Sequence, residues 1–562
     1  MAWPLALGVA LAVALAVVVR FGYGAELWLD EALSVNIARL PLGQIPEALR
    51  HDGAPPLYYF LLHGWMALVG DSNVAVRALS GVFAVASLPL MWLAGRRLGG
   101  SAVGWAAALL LAASPFAVHF ADETRMYSLV VFLVLAGFLA LSAVLERPRP
   151  VPVVGLALAG GLLALAHYWA LYLIAATLGA LVLRAWIGRA AARRHALVAV
   201  ASIAAGGLLF LPWFPAFVFQ IRHTGTPWAD RAKLTSIFDV VVDFSGGGWG
   251  TARLLLLAMV LLAAVGLFGR GLEGSRLELD LRTRPAGRGV ALVTALTLVL
   301  GLAAGYLGDS GFATRYASVV LAPFLLLVAL GFGALAEPRL RHGLLALVVG
   351  LGLVGGYRET TAIRTQAGVN AAALNANALD GDVIAYCPDQ LGPGTSRLVD
   401  DRFDQLSFPT GDRPQLVDWV DYAQRQARAN PTRFAQMLDA RAGDGHDVWL
   451  VWDPGYRTFE NYCEIIERDL GDIRPMAEVV QRRLAGYGET AWLIRYSASC
   501  RLPLDRADAP SAAATAAGQP LPRDAVFTRP VATTCAAATA ANAATQPQST
   551  KPPSTQQEKA TP

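Results

Sequence analysis

An acidic pair, Asp30-Glu31, follows a short apolar stretch near the N-terminus and is the first place where this sequence could do chemistry. Carboxylates at the edge of a membrane are costly unless they have a partner or a role. One such role is general base catalysis, in which the carboxylate removes a proton from an acceptor hydroxyl. A structural interpretation competes, because Asp30 precedes Glu31-Ala-Leu-Ser34 and suits a helix N-cap. Taken alone, the pattern favours the cap.

A second polar cluster follows another apolar run and reads Asp122-Glu123-Thr-Arg125-Met-Tyr127. An arginine can hold a phosphate with two hydrogen bonds, and its charge does not titrate away. The alternative is an ion pair whose side chains reach out to the membrane interface, which is common at helix ends.

Two further polar groups lie at the ends of apolar runs, His167-Tyr168-Trp169 and Arg315-Tyr316. Arg315 could bind the phosphate of an anionic lipid. An aromatic belt at the membrane interface is the alternative for the first group, and we favour it for Trp169. Helix capping is the alternative for Arg315.

The composition places these residues in a membrane protein. Of 562 residues, 55% are apolar and only 16% are charged, and the mean hydropathy is +0.45. A soluble domain has about 25% charged residues, so a chain made mainly of soluble, disordered or fibrous domains is excluded. About eleven charge-poor runs approach the ~20 residues that a membrane-spanning helix needs. They are residues 3–20, 78–95, 101–119, 128–145, 151–168, 169–187, 196–215, 252–269, 289–307, 316–336 and 342–357.

Arginine placement predicts the orientation. With a cytoplasmic N-terminus and alternating spans, the arginine-rich loops near residues 96, 190, 280 and 340 all face the cytoplasm. The opposite loops then carry most of the acidic residues, including the first outer loop, 21–77. The scheme requires that 54–70 lies at the outer interface as a helix and does not cross, since a crossing would invert every later loop.

The C-terminal part has a different composition. Residues 358–505 contain β-type runs at 382–386, 448–452 and 491–496, with helical patterns near 415–440 and 458–470. They predict an extracytoplasmic α/β domain. Residues 506–562 are rich in Ala, Thr, Pro and Gln and are predicted to be disordered.

All four cysteines fall in the part predicted to lie outside, where disulfides persist. One disulfide is predicted, with Cys387–Cys463 favoured and Cys500 as the alternative partner. No C-x-x-C motif is present, so the sequence gives no support to a zinc or thioredoxin-like site.

Four outer turns therefore place acidic residues, His, Arg and Tyr at one depth of the bilayer. Two classes of protein fit this arrangement: an enzyme acting on a lipid-borne substrate, and a transporter or flippase of a lipid-linked precursor. Transporters carry polar groups near the middle of their spans and often contain repeats. The predicted spans here are almost free of ionisable residues at their centres, which favours the enzyme.

The order of these motifs resembles the GT-C glycosyltransferases over roughly residues 20–330. The likeness is greatest to the bacterial branch related to protein O-mannosyltransferases and to the lipid A aminoarabinose and lipopolysaccharide-core transferases. It is carried by Leu27-Trp-Leu-Asp30-Glu31, Asp52-Gly-Ala-Pro55-Pro56-Leu-Tyr58-Tyr59, Gly70-Asp71-Ser-Asn-Val-Ala-Val-Arg77-Ala-Leu-Ser-Gly81 and Gly95-Arg96-Arg97-Leu98-Gly99. The resemblance implies a polytopic all-α membrane bundle, residues 1–357, with the α/β domain appended outside.

The same resemblance implies roles for single residues. Asp30 matches the acidic residue that serves as catalytic base, and Glu31 completes the pair. Arg125 and Arg315, with Tyr316, match positions on the side of the donor phosphate. Ala54 stands where the family has a histidine, which His51 could replace. The residues assigned to substrate binding are His51, Tyr58, Asp122, Glu123, Tyr127, His167 and Tyr168.

The implied reaction is the inverting transfer of a sugar, mannose-like, from a polyprenyl phosphate to an extracytoplasmic glycan, lipid or protein. It requires no cofactor, and no metal site is expected, although dependence on a divalent metal is left open. The expected partners are the lipid-linked donor, the acceptor and membrane lipid, without nucleic acid. The expected location is the inner or plasma membrane.

Overall fold

The computed structural model describes residues 20–502 apart from 227–228, 249, 273–275, 284, 309–310, 455–458 and 460, together with residues 14, 17, 18 and 535. Its larger part is a bundle of apolar helices. The three helices of the predicted first outer loop are α1 Leu29–Ala38, α2 Ile45–Asp52 and α3 Leu57–Val69. The helices that follow are α4 Asn73–Gly99, α5 Ser101–Ala113, α6 Pro115–Ala121, α7 Tyr127–Glu146, α8 Pro150–Ala166, α9 Ala170–Ile187, α10 Ala190–Gly207, α11 Phe214–His223, α12 Ser236–Phe244, α13 Thr251–Phe268, α14 Pro285–Leu307, α15 Leu321–Gly333 and α16 Pro338–Thr361.

Eight helices of the described residues are long and apolar enough to cross a membrane. They include α10 and α11 as one span, Ala190–His223, joined through a 3-10 turn at Leu208–Trp213, and a span that begins with the 3-10 turn Thr314–Val320 before α15. A ninth is reached if the bent pair α5–α6 counts as one. The 17-residue helix α8 occupies the predicted span 151–168 but is shorter. The predicted span 3–20 lies almost wholly outside the described residues, so the count of eleven is not confirmed.

The break between α5 and α6 bends the chain by 57°. Ser114 caps α6, its Oγ accepting a hydrogen bond from Ala117 N at 3.3 Å, and Pro115 occupies the first turn, where its missing N–H costs nothing. Below the break, α5 packs closely on α4 because Gly95 and Gly104 face the other helix. A Cβ on Gly95 would stand 2.8 Å from Val103 O.

The predicted outer loops contact one another at one end of the bundle. His119 pairs with Glu359, and Thr314 with Asp243, each across elements far apart in sequence. At the other end of the bundle, Arg97 near the end of α4 donates to Leu139 O of α7. A hairpin of β1 Gly269–Gly271 and β2 Leu277–Leu279 connects α13 to α14. Helix α3, over the predicted interface segment 54–70, has 13 residues and buries one side, including Tyr58 and Tyr59.

The C-terminal α/β domain, which we call the outer domain after its predicted location, contains seven strands and five helices of the described residues. The strands are β3 Ile363–Thr365, β4 Val383–Cys387, β5 Asp404–Ser407, β6 Val448–Trp452, β7 Ala477–Gln481, β8 Tyr487–Glu489 and β9 Trp492–Tyr496, and the helices are α17 Ala367–Asn377, α18 Gly392–Ser396, α19 Tyr422–Ala427, α20 Pro431–Ala442 and α21 Tyr462–Ile473, with a 3-10 turn at Asp389–Leu391. Five of the strands form one sheet in the order β5-β4-β6-β9-β7. Strand β4 pairs in parallel with β5 and with the central β6, and β9 runs antiparallel between β6 and β7. The three predicted strands are confirmed as β4, β6 and β9, each within a residue at either end.

The domain starts directly on the bundle. Helix α16 extends to Thr361, four residues beyond the predicted end of its span, and β3 follows at once. There β3 pairs in parallel with β8, outside the main sheet. Every residue of β4 and β6 is buried, as expected for strands covered on both faces.

Two disulfides lie in this part of the chain. Cys387 at the end of β4 is bonded to Cys463 on α21, which confirms the predicted pair. Cys500 is not the alternative partner, because it is bonded to Cys535. The predicted disordered segment 506–562 lies outside the described residues apart from Cys535.

The alternation of loops between the two ends of the bundle gives a testable topology. A fluorescent protein that matures only in the cytoplasm should be dark when fused after Leu502, at the end of the outer domain. The same reporter fused after Gly100, between α4 and α5, should fluoresce, because Arg96 and Arg97 lie on that side. A bright fusion after Leu502 would overturn the topology and the shared outer face.

Candidate functional site

Helix α1 carries Asp30 and is buried along nearly its whole length. Its N-cap residue is Trp28, whose side chain makes no capping bond. The first backbone amide, Leu29 N, instead donates to both carboxylate oxygens of Glu489 on β8, each at 3.2 Å. The interpretation of Asp30 as an N-cap is therefore wrong. Asp30 lies inside the first helical turn, and the outer domain supplies the cap.

The Asp30 carboxylate lies between two arginines from distant elements. Arg315 Nη2, from the 3-10 turn before α15, is 3.3 Å from Asp30 Oδ2, and Arg125 Nη2, from the loop before α7, is 3.9 Å away. All three side chains are largely buried, with Asp30 13% exposed. Within the described residues, Asp30 Oδ2 makes no hydrogen bond. The site thus holds a shielded carboxylate with an acceptor position free and two positive charges beside it.

Glu31 has different partners from its neighbour. Its oxygens accept hydrogen bonds from Arg77 Nε at 2.8 Å and from Arg77 Nη2 at 2.6 Å, and both side chains are buried. Thr124 N also donates to Glu31 Oε1, at 2.9 Å. Because consecutive residues on a helix face different directions, Asp30 points to the two arginines while Glu31 ties α1 to α4 and to the second outer loop.

Asp122 and Glu123 are held by Arg364 of β3. Its guanidinium donates to Asp122 O at 3.1 Å and lies 3.5 Å from Glu123 Oε2. Burial alone would raise the pKa of Glu123, but the hydrogen bond from His119 and the charges of His119 and Arg364 bring it down to about 2. Burial raises the pKa of Asp122 to about 7 against the pull of three arginines. Both carboxyls lie inside the protein at a joint between the bundle and the outer domain.

An aromatic cluster lies beside Arg315. The ring of His167 is 5.7 Å from that of Tyr127 and 5.4 Å from that of Tyr316. Burial, reinforced by the charges of Arg125 and Arg315, lowers the pKa of His167 to about 3, so its ring is neutral. The tyrosine rings and neutral imidazole give the site a wall without charge of its own.

Three other predicted residues make contacts elsewhere. Trp213 Nε1 donates to the hydroxyl of Tyr168 at 2.9 Å, and this hydroxyl also bonds to Gln220, so Tyr168 braces α11. The fully buried Tyr58 bonds to Ser80 at 2.9 Å. His51 Nδ1 lies 2.9 Å from Asp418 Oδ1 of the outer domain.

The aromatic-belt interpretation of Trp169 is wrong. Its side chain is 9% exposed and packs inside the bundle, with its ring centroid 5.1 Å from that of Phe312. The ring also lies over Gly301, where a Cβ would stand only 2.8 Å away. A belt residue would instead face lipid.

Sequence reasoning did not assign a role to several residues that shape the site. Arg77 stands at the edge of a predicted span, and a charge there signals a buried partner. Asp52 accepts a hydrogen bond from Tyr59 at 3.1 Å, and burial raises its pKa, although Arg125 opposes the rise. No sequence signal pointed to Arg364 or Glu489, since their partners lie hundreds of residues away.

Over the ranges that the structure describes, no group of three or more His, Cys, Asp or Glu side chains is arranged to hold a metal ion.

Replacing Arg77 by Met should destabilise the folded protein by about 3–5 kcal/mol, because Glu31 would remain buried without a counter-charge. Replacing Arg97 by Met, on the exposed inner end of the same helix, should change stability by less than about 1 kcal/mol. Thermal or denaturant unfolding in detergent compares the two. Equal effects would contradict a structural role for the Glu31–Arg77 pair.

The chain is similar to known proteins over part of its sequence and in its fold. Residues 53–215 match the family model for dolichyl-phosphate-mannose-protein mannosyltransferase. The fold is similar to the crystal structure of ArnT from Cupriavidus metallidurans in the apo state, with a TM-score of 0.56 and 14% identity, over 89% of this chain and 100% of that one.

Two other solved structures are less similar. The Archaeoglobus fulgidus oligosaccharyltransferase matches with a TM-score of 0.44 and 11% identity, over 79% of this chain and 68% of that one. The arabinofuranosyltransferase AftD from Mycobacteria matches with a TM-score of 0.44 and 14% identity, over 87% of this chain and 41% of that one. No curated protein sequence matches the chain. The resemblance stated from the sequence is confirmed: this multi-pass membrane protein has the fold of the GT-C glycosyltransferases.

Proposed function

We propose that the protein is an integral-membrane glycosyltransferase that moves a mannose-like sugar from a polyprenyl phosphate to an extracytoplasmic acceptor, with inversion at the anomeric carbon. One observation carries the proposal. A largely buried carboxylate, Asp30, has a free acceptor position on Oδ2 and lies within 4 Å of two guanidinium groups, Arg315 at 3.3 Å and Arg125 at 3.9 Å. Inverting transfer from a phosphate donor needs a base and a positive site for the leaving group.

In this reaction Asp30 accepts the proton of the acceptor hydroxyl. The hydroxyl oxygen forms a bond to the anomeric carbon from the face opposite the phosphate. The bond from that carbon to the phosphate oxygen breaks, and its electron pair leaves with the polyprenyl phosphate. Arg125 and Arg315 stabilise the charge that develops on the leaving group.

The contacts of Asp30 suggest how donor binding prepares the base. In the free protein both arginines lie against Asp30 Oδ2. A phosphate binds guanidinium groups with paired, charge-assisted hydrogen bonds. The donor therefore competes with Asp30 for the same two guanidinium groups. Its arrival draws both groups away from Oδ2, whose open acceptor position then takes the hydrogen bond of the acceptor hydroxyl.

A polar cavity of about 690 Å³ adjoins Arg315 and suits the donor head group. Its wall includes three basic residues, Arg231, Lys233 and Arg315, and four acidic residues, Asp230, Asp239, Asp243 and Glu359. The volume falls within the ~300–1,000 Å³ typical of small-molecule sites. Basic groups suit the phosphate, and carboxylates suit sugar hydroxyls as acceptors.

The alternative function, transport or flipping of a lipid-linked precursor, has less support. Each of the eight candidate spans has a window with no more than two charged residues. The ionisable groups described above gather at the predicted outer end of the bundle, whereas transport sites lie near the bilayer midplane.

The proposal also covers the acceptor, the membrane location and the requirements of the chemical step. The acceptor is a glycan, lipid or protein on the outer face of the inner or plasma membrane. The scheme uses no nucleotide-sugar site and requires no metal for the chemical step.

Replacing Asp30 by Asn should lower turnover by about 10²–10⁴-fold, the usual contribution of a general base. Folding and donor binding should survive, because Asn keeps the shape and Glu489 supplies the helix cap. Replacing the exposed Asp71 by Asn is the matched control and should leave turnover unchanged. Transfer from radiolabelled polyprenyl-phosphate sugars measures the rates, and an active Asp30→Asn protein would refute the assignment of the base.

Replacing Arg125 by Ala should act differently. Because its guanidinium is assigned to the phosphate, binding of polyprenyl phosphate should weaken together with turnover. Titration with polyprenyl phosphate in nanodiscs separates the two variants. Unchanged lipid binding by Arg125→Ala would remove Arg125 from the phosphate site while leaving the role of Asp30 intact.

A further inference from the structure

A second cavity, of about 270 Å³, lies where the outer domain meets the first outer loop. We call it the domain-interface cavity and define it by Ile37 on α1, His51 and Asp52 on α2, and Asp389, Ser407 and Thr410 of the outer domain. Main-chain contacts fix the two sides to each other, because Trp419 N donates to His51 O at 2.9 Å. The cavity is thus a built part of the junction between the bundle and the outer domain.

The outer-domain wall of the cavity carries polar groups that could form further hydrogen bonds. Ser407, at the end of β5, is 4% exposed, and within the described chain its Oγ has no hydrogen-bond partner. A buried hydroxyl left unbonded costs free energy that a ligand hydroxyl would recover. The nearby Asp389 carboxyl accepts a hydrogen bond from Tyr422 at 2.7 Å, and burial raises its pKa to about 7. It can therefore donate as well as accept near neutral pH.

The cavity lies on the same side of α1 as Asp30. Ile37 follows Asp30 by seven residues on α1, which puts it on the same helix face about 10 Å further along the axis. Asp52 lies between the two places on the other side. It lines the cavity, and the charges of Arg125 and Asp30 both act on its pKa. The cavity is therefore about two helical turns from Asp30.

Charge and size restrict the ligand. Five acidic residues and two arginines line the cavity, and one of those arginines, Arg425, is already paired with Asp418 at 2.5 Å. The excess of carboxylates disfavours anionic ligands. A volume just below the ~300–1,000 Å³ of common small-molecule sites accommodates one or two sugar rings and is too small for a peptide of several residues. Ile37, Leu416 and Val417 supply an apolar wall for the C–H face of a ring.

We propose that the domain-interface cavity binds a neutral carbohydrate, one or two rings long, as the acceptor of the transferred sugar. The inference deepens the proposed function, and only the role of the bound carbohydrate as acceptor rests on that function. The binding of a neutral glycan by this cavity is a separate claim that a direct binding measurement tests.

The test uses the full-length Asp30→Asn protein in nanodiscs, so that nothing is turned over. The probes are neutral disaccharides of mannose, glucose, galactose and arabinose, a galacturonic acid dimer, and a Ser/Thr-containing octapeptide. At least one neutral disaccharide should bind, as measured by saturation-transfer NMR. Adding Ser407→Ala should weaken that binding about 2–10-fold, the weight of one neutral hydrogen bond. Adding Ser407→Leu, which fills the space, should abolish it. Asp401→Asn, at an exposed turn of the same domain, is the control and should bind normally.

The outcomes separate the two proposals. No binding of any neutral disaccharide, or binding that both Ser407 variants leave unchanged, overturns the inference. Binding of the octapeptide or the acidic dimer in place of the neutral glycans, with the same sensitivity to Ser407, also overturns it. A third outcome is glycan binding that depends on Ser407, together with no sugar transfer by the protein that has Asp30 intact. That outcome supports carbohydrate binding by the cavity and contradicts the proposed function.

Discussion

The buried ion pair between Glu31 and Arg77 is the constraint on which the outer site depends. Neither charge can be left alone in an interior where both side chains are at most 3% exposed. Arg77 also donates to the carbonyls of Ala25 and Glu26, which fixes the chain that leads into α1. These contacts fix the rotation of α1 about its axis. The direction of the Asp30 side chain then follows, because Asp30 is the residue before Glu31 on that helix.

Several features of the fold could be predicted from the sequence. Hydropathy located the long spans. The hydrocarbon core of a bilayer offers no hydrogen-bond partner to the backbone, so a segment that crosses it must be a continuous apolar helix. Short β-type runs located β4, β6 and β9. The assignment failed where the spans are irregular. Pro150–Ala166 is shorter than a standard span, and Ser114-Pro115 breaks another, so counting apolar residues alone does not settle how many helices cross.

The site was predictable only in part. Asp30, Arg125 and Arg315 could be brought together from the sequence because each stands at the same end of a span. The different fate of Glu31 could not, since nothing local distinguishes it from Asp30 until Arg77 is placed beside it. The contacts of Tyr168, which the sequence assigned to substrate binding, could not be predicted for a similar reason. Its neighbour in sequence, His167, joins the aromatic cluster, while its own hydroxyl meets Trp213 from another part of the chain.

The capping of α1 by Glu489 has a consequence for how the protein is made. The bond joins residues separated by 460 positions, so the helix that carries Asp30 leaves the ribosome long before its cap exists. The bundle can insert span by span in the meantime, with the N-terminus of α1 unsatisfied. Only when β8 has been synthesised and has paired with β3 is that end closed. A chain that stalls before β8 would therefore lack the hydrogen bonds from Leu29 N to Glu489, and the helix that carries Asp30 would keep an uncapped N-terminus.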